Sequence, residues 1–128
     1  MSPKEKVFTE NAPAPMPFFS QAIKCQGMVY CSGSIGMDKD TMKLVEGSVA
    51  DRTAVCLKNL AAILEASGSS IDNVVKVNVF LADMANFAAM NNVYDKVFHK
   101  EPKPVRTCVA VHQLPLGTDV EIECIAHQ

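Results

Sequence analysis

The chain has 128 residues, of which 48% are hydrophobic and 20% are charged, a composition that suits a globular protein with one hydrophobic core. Its net charge is only −2 and it has no Trp. These features argue against a dedicated nucleic-acid surface, which needs clustered positive charge and stacking rings. We therefore expect one domain over residues 1–128 that binds a small molecule or another protein.

The cysteines and histidines give no metal-binding pattern. The five cysteines are Cys25, Cys31, Cys56, Cys108 and Cys124. None forms a Cys-x-x-Cys pair, and no His stands at zinc-ligand spacing from them, so we expect free thiols, a reducing compartment and no metal.

The amino-terminal residues contain no apolar signal core, and no stretch approaches the roughly 20 apolar residues that span a bilayer. We therefore expect no membrane association. The expected location is cytoplasmic, or mitochondrial if a presequence has been removed.

The first third of the chain predicts extended structure and turns. Three prolines in residues 11–17 exclude a helix and predict an extended arm. Apolar runs at 21–25 and 28–32, separated by Gln26-Gly27, predict a β-hairpin. Glycines and aspartates in residues 33–40 then predict a turn-rich loop.

A helix is predicted between Ser48, a suitable N-cap, and Gly68, a suitable stop. Its helical spacing is shown by Leu57, Leu60, Ala61 and Leu64. A second helix is predicted after the cap Asp83, before the prolines of residues 101–104. Its apolar stripe consists of Phe87, Met90, Tyr94, Val97 and Phe98.

Three further strands are predicted over residues 74–81, 105–111 and 120–126. In the first, Val75 should share a face with Val77, Val79 and Leu81, while the opposite face is also apolar and predicts burial on both sides. The order of elements predicts an α/β sandwich, with two helices packed on one mixed sheet. Because the helices cover one face, a homo-oligomer is the simplest cover for the other.

Several polar side chains fall where a core prefers none. Arg106, Cys108 and Ala110 alternate along one strand and should point to one side. A strand Arg suits a carboxylate ligand, but an edge-strand salt bridge is an equally good interpretation from spacing alone. Cys108 could be a nucleophile, although no His is obviously placed to activate it.

Asn91 lies on the apolar stripe of the second helix, which favours a satisfied hydrogen bond over direct catalysis. Glu121 and Glu123 alternate with apolar residues, which is typical of a solvated strand face. Ser32 and Gly33 end a strand, where a hydroxyl and an N–H group can meet a ligand, but that signal is weak alone.

The last two strands, if paired as a hairpin with its tip near Pro115, place Glu121 opposite Ala110. Arg106 then lies four residues further along, about 13 Å away. The two charges could therefore serve one site only if that site is built between subunits.

Several phrases together resemble the YjgF-like reactive-intermediate deaminases, also described as L-PSP endoribonucleases. The resemblance extends over nearly the whole chain, in the same order and at the same spacing. The phrases occupy residues 19–22, 29–33, 73–80, 87–91, 104–108 and 120–126.

This resemblance implies a chorismate-mutase-like fold with two helices on a mixed six-stranded sheet, assembled as a homotrimer with sites at the subunit clefts. It implies hydrolysis of 2-iminobutanoate and 2-iminopropanoate, which arise from dehydration of threonine and serine, to 2-keto acids and ammonia. No metal or organic cofactor is implied, since an imine is already electrophilic.

By the same resemblance, Arg106 would bind the substrate carboxylate and Glu121 would position or activate water. Ser32, Gly33 and the backbone at Cys108 would orient the substrate. Asn91 would support the site from its helix.

One position departs from the family pattern. Phe19 stands where the family usually has Tyr, so a ring is kept and a phenol hydrogen bond is lost. Two alternative functions remain: a regulatory protein that binds a small carboxylate without turnover, and an endoribonuclease or translation inhibitor. The acidic composition and the few aromatics argue against nucleic-acid chemistry.

Overall fold

A computed structural model describes residues 3–128. The strands are β1 (Glu5–Val7), β2 (Ala22–Cys25), β3 (Met28–Cys31), β4 (Ser34–Ile35), β5 (Val74–Leu81), β6 (Val105–Ala110) and β7 (Val120–His127). The helices are α1 (Val49–Ala66) and α2 (Phe87–Val97). The predicted order of strands, helix, strand, helix and strands is confirmed, and β1 and β4 are short additions to it.

One mixed sheet has the strand order β1-β2-β3-β7-β5-β6, and β4 pairs with β7 beside this path. The two-residue β4 is thus a seventh strand in addition to the expected six. All pairings are antiparallel except that of β5 with β6, which are joined through α2. The fold is therefore two helices on one mixed open sheet.

The predicted pairing of the last two strands is wrong. β6 pairs in parallel with β5, and β5 lies between β6 and β7. The physical reason is the α2 crossover, which returns the chain to the edge of β5 in the same direction. The loop around Pro115 consequently crosses from one strand to another that is not its neighbour.

The β2–β3 hairpin is confirmed, and its turn is made by residues suited to it. Gln26 and Gly27 both have positive φ, at 51° and 79°. Two successive left-handed residues form the turn whose twist matches a two-residue hairpin. The arm over residues 11–17 contains neither helix nor strand, as predicted.

Helix α1 begins and ends where its caps predict. The Ser48 hydroxyl accepts from the Ala50 N–H, and the Asp51 carboxylate accepts from the Ser48 N–H at 2.9 Å. This reciprocal capping box fixes the first turn. Gly68 follows the last turn with φ of 78°, a conformation in which glycine is favoured.

The hydrophobic core lies between the helices and one face of the sheet. Its fully buried members include Leu57, Leu60, Leu64, Val77, Val79, Leu81, Met90 and Ile122. Val75, predicted on this face, is instead 42% exposed, because a bulge between Val74 and Lys76 shifts the register against β7.

The other face of the sheet is covered by no helix from residues 3–128, so the predicted burial of β5 on both sides is wrong for the single chain. Tyr30, Val105 and Val109 on this open face are 45%, 65% and 42% exposed. Apolar side chains of this size on an uncovered sheet indicate a surface that another molecule covers. Within residues 3–128 no helix combines the length and apolar character needed to cross a membrane.

Candidate active site

Arg106 lies on edge strand β6 and points toward α2. Its Nη1 donates to the Asn91 Oδ1 at 2.6 Å. Its guanidinium carbon lies 4.7 Å from the Tyr94 ring centre and 5.6 Å from that of Phe87. These three residues are spaced four and three apart on α2, so one helix face surrounds the cation with two rings and an amide.

No acid pairs with Arg106 in the part of the chain that the structure describes. The salt-bridge interpretation of this residue is therefore wrong for the single chain. Asn91 forms the helix-to-sheet hydrogen bond that its position predicted. One N–H of the guanidinium is used by that bond, which leaves the other donors of the fork for a ligand anion.

Cys108 follows Arg106 on the same side of β6 and packs partly against the core. Burial raises the pKa of its thiol, while Arg106 acts in the opposite direction. A thiol kept protonated is a poor nucleophile, so the geometry does not favour covalent catalysis at Cys108. We call Arg106, Asn91, Cys108, Phe87 and Tyr94 the arginine half-site.

Glu121 lies on β7, and its side chain is on the open face because Val120 and Ile122 on either side of it are buried. Burial raises the pKa of its carboxyl group, and the charge of nearby Glu123 raises it further. Glu123 accepts a hydrogen bond from the Asn78 Nδ2 at 3.0 Å. Glu121 forms no hydrogen bond or ion pair with any residue in the described range, so its oxygens remain available to water or a ligand.

Gly33 lies directly against Glu121. A side chain there would overlap the Glu121 Oε2, so only glycine lets the carboxylate occupy its position. The Ser32 hydroxyl donates to the Ser20 carbonyl oxygen at 2.6 Å, and its proton is thus already used. Ser32 can still accept a hydrogen bond from a ligand.

Phe19 is 47% exposed and borders a cavity beside Glu121. Its ring is tilted against that of Phe18, with ring centres 5.8 Å apart. The cavity measures about 540 Å³ and also contains Ser32, Gly33 and Glu121 in its lining. Four predicted site residues are therefore brought together. We call Glu121, Gly33, Ser32 and Phe19 the glutamate half-site.

The two half-sites do not meet within one chain. Val77 of β5 pairs with Arg106 on one side, and Phe80 pairs with Glu121 on the other. Arg106 and Glu121 are thus three residues apart along the strands and two strands apart across the sheet, about 14 Å between Cα atoms. Their side chains also point to opposite faces. The separation predicted from an incorrect hairpin holds for this different reason.

No group of three or more His, Cys, Asp or Glu side chains is close enough to hold a metal ion within residues 3–128. The two half-sites instead offer a carboxylate, a guanidinium and a thiol. Such groups can bind a small carboxylate and activate water.

Comparison with known proteins assigns the chain to a family. The profile of the family described as Endoribonuclease L-PSP matches residues 9–128. The chain belongs to this family. The family includes the YjgF-like proteins that the sequence resembles.

The L-PSP family relatives agree in sequence and in structure. A relative from Arabidopsis thaliana named Reactive Intermediate Deaminase A, chloroplastic, is 46% identical over 123 residues, which are 96% of this chain and 65% of that protein. The crystal structure of yeast Mmf1 superposes with a TM-score of 0.94 at 47% identity, covering 98% of each chain. A structure of TdcF from E. coli with bound serine has a TM-score of 0.90 at 33% identity, covering 97% of this chain and 98% of that one.

The sequence pattern does not identify two members of the arginine half-site. It places Phe87 and Tyr94 in the apolar stripe of α2 and so predicts only a core role for them. Tyr94 is buried as expected, but Phe87 is 36% exposed and lies over Arg106. Their spacing around Asn91 was the available signal, since residues at these intervals share one helix face.

Proposed function

We propose that this chain hydrolyses 2-imino acids such as 2-iminobutanoate and 2-iminopropanoate to 2-keto acids and ammonia, without a cofactor. The observation that carries the proposal is the Arg106 guanidinium, held by Asn91 and Tyr94 with no acid beside it in the described residues. A guanidinium fork that is held in place and has no acidic partner is suited to a bidentate carboxylate. The name of the Arabidopsis relative supports a deaminase.

Glu121 supplies the second function that this reaction needs. Water adds to the imine carbon, and Glu121 accepts a proton from that water as the carbon–oxygen bond forms. Glu121 passes this proton to the nitrogen, which gives a carbinolamine. The hydroxyl proton of the carbinolamine then passes to the nitrogen through Glu121 as the carbon–nitrogen bond breaks, so ammonia leaves and the keto acid forms. A carboxylate with a raised pKa and free oxygens is suited to accepting and returning this proton.

The remaining residues orient the substrate. Ser32 and Gly33 would contact it beside Glu121, Phe19 would close one side, and the main chain at Cys108 would lie next to the bound carboxylate. An imine already carries an electrophilic carbon, so orientation and proton transfer supply the catalysis.

A homotrimer with sites between subunits would unite the two half-sites. A site that combines Arg106 with Glu121 would need a second copy, because the two residues are about 14 Å apart, and the apolar open face offers a surface for that copy. We propose one domain over residues 1–128 in each copy. The proposed compartment is the cytoplasm, or mitochondria after removal of a presequence.

Replacement of Arg106 tests this function directly. The protein is incubated with threonine and a threonine dehydratase, and the release of ammonia or 2-ketobutanoate is timed against a buffer control. Arg106→Ala should lower kcat/KM by at least about 100-fold, because the substrate carboxylate loses its charged partner. Arg106→Lys keeps the charge without the fork, so its kcat/KM should lie between those of the unaltered protein and Arg106→Ala.

Light scattering and circular dichroism check that both variants keep the assembly and fold. The proposal fails if the unaltered protein gives no acceleration over buffer. The carboxylate-binding role of Arg106 fails if Arg106→Ala retains full activity.

A second candidate is an endoribonuclease, which the description of the matched family favours. Incubation of the same preparation with single-stranded RNA separates the two functions. RNA cleavage that survives Arg106→Ala, without imine hydrolysis, would favour the ribonuclease.

A further inference from the structure

The cavity beside Glu121 is much larger than the part of it that is lined by polar side chains. At about 540 Å³ it is within the size range of pockets that enclose a whole small ligand. Most of its lining is apolar. These walls include Pro13, Met16, Phe19, Met37, Met42 and Leu116.

The proline-rich arm of residues 11–17 forms one wall and is held in place. Gln21 is 3% exposed and its Nε2 donates to the carbonyl oxygens of Thr9 and Pro13 at 3.0 and 2.9 Å. Its Oε1 accepts from the Thr9 N–H at 2.8 Å. Because a proline has no N–H group, this wall offers few donors to a ligand.

The polar side chains in the cavity lining are already occupied. Ser32, Ser34 and Asn59 donate to main-chain carbonyl oxygens at 2.6, 3.1 and 3.0 Å. Gln21 is bound to the arm. Glu121 is therefore the one polar side chain of the lining that has no hydrogen-bond partner within residues 3–128.

We propose that the apolar part of this cavity receives the substrate side chain, and that the preferred substrates are 2-imino acids with a large hydrocarbon side chain. The inference rests on the proposed function, which places the imine carbon near Glu121. A hydrocarbon group of leucine or phenylalanine size buries apolar surface against these walls, whereas the methyl group of 2-iminopropanoate leaves most of them uncovered. The methionines among the walls can adjust to different shapes.

A substrate series tests the inference on the unaltered protein. Imines are made in situ from alanine, leucine or phenylalanine by an L-amino-acid oxidase with catalase, and keto-acid formation is measured with and without the protein. The value of kcat/KM should be at least about tenfold higher for the leucine-derived imine than for the alanine-derived imine, since one methylene in a fitted pocket already gives about that ratio.

A pair of alanine variants tests the location. Both alanines are exposed, but Ala14 belongs to the arm and lines the cavity, whereas Ala54 lies on α1 outside the cavity lining. Ala14→Phe adds a ring to the cavity and should lower the leucine-to-alanine ratio of kcat/KM at least about tenfold. Ala54→Phe adds the same ring elsewhere and should leave that ratio unchanged.

The outcomes separate the two proposals. If no imine is hydrolysed faster than in buffer, the proposed function fails. If the alanine-derived imine is hydrolysed as efficiently as the leucine-derived one, the function stands and the side-chain subsite is overturned. The subsite is also overturned if Ala14→Phe lowers both rates equally while light scattering shows an unchanged assembly.

Discussion

The Glu121 carboxylate is partly buried beside a second carboxylate, Glu123, on the open face of the sheet. Both effects disfavour the charged form, and its pKa is raised from the ordinary value of 4.5. The folded chain therefore binds this proton more tightly than the unfolded chain does. The stability that Glu121 contributes is lost as the pH rises from the unfolded pKa to the folded pKa.

Glu123→Gln tests this electrostatic coupling through the pH dependence of catalysis. Glu121 must be ionised to accept a proton, so kcat/KM should fall on the acidic side as this group is protonated. Removal of the Glu123 charge lowers the pKa of Glu121, and the acidic limb should move to lower pH. The measurement is kcat/KM against pH for both proteins.

Glu46→Gln is the control, because Glu46 is an exposed acid in the loop before α1. It should leave the acidic limb in place. An acidic limb that Glu123→Gln does not move would show that another group controls it.

At the scale of the elements, an ion pair joins α1 to Asp119, the residue directly before β7. Arg52 donates to both carboxylate oxygens of Asp119 at 2.8 Å, and to the carbonyl oxygens of Val45 and Gly47 at 3.1 and 3.2 Å. The Arg52 and Asp119 side chains are only 18% and 24% exposed. The bridge therefore holds the loop before α1 and the start of the strand that carries Glu121.

Arg52→Lys should lower the free energy of unfolding by about 1–3 kcal/mol, because lysine cannot reproduce the bidentate fork. Urea unfolding measures this effect. The pKa of Asp119 is lowered chiefly by its hydrogen bond from Arg52. The stabilisation is therefore present above the unfolded pKa of Asp119 and is lost as the pH falls through the lower, folded value.

Lys100 and Asp72 provide a matched control pair. Their atoms are 2.9 Å apart, but their side chains are 65% and 52% exposed. Breaking this pair should lower the free energy of unfolding by no more than about 1 kcal/mol, since exposed ion pairs contribute little. An equal loss of stability from breaking either pair would contradict the structural role of Arg52.

At the scale of the whole molecule, the two half-sites lie on opposite faces of one sheet. A site that uses both Arg106 and Glu121 therefore needs two copies of the chain. Arg106→Ala and Glu121→Gln should each be inactive alone. Mixed and refolded together in equal amounts, they should recover about one quarter of the unaltered activity. Each site needs an intact arginine half-site from one copy and an intact glutamate half-site from another. Since half of the copies carry each intact half-site, about one quarter of the sites contain both.

The same mixture analysed without refolding is the control, since intact assemblies of one variant hold only defective sites. Light scattering gives the number of copies, with three expected. A monomeric and fully active protein, or a refolded mixture without activity, would contradict a shared site.

Much of the local structure could be predicted from the sequence, because its signals are local. Ser48 with Asp51 specified the start of α1, and Gln26-Gly27 specified the first hairpin. Arg106 was recognised as unusual from its strand position alone. The resemblance added the role of Glu121 and the substrate class. The family match confirms the family from which those predictions come.

Only the tertiary structure decided how these pieces are arranged. The alternation of residues 105–110 and 120–127 specifies strands but not their neighbours, so it could not show that β5 lies between them. The bulge at Val75 and the position of Phe87 over Arg106 also depend on contacts between distant segments. The sequence by itself determined which residues are available for chemistry. Long-range packing decided that Arg106 and Glu121 face away from each other in one chain, because strand pairing sets both the distance and the face.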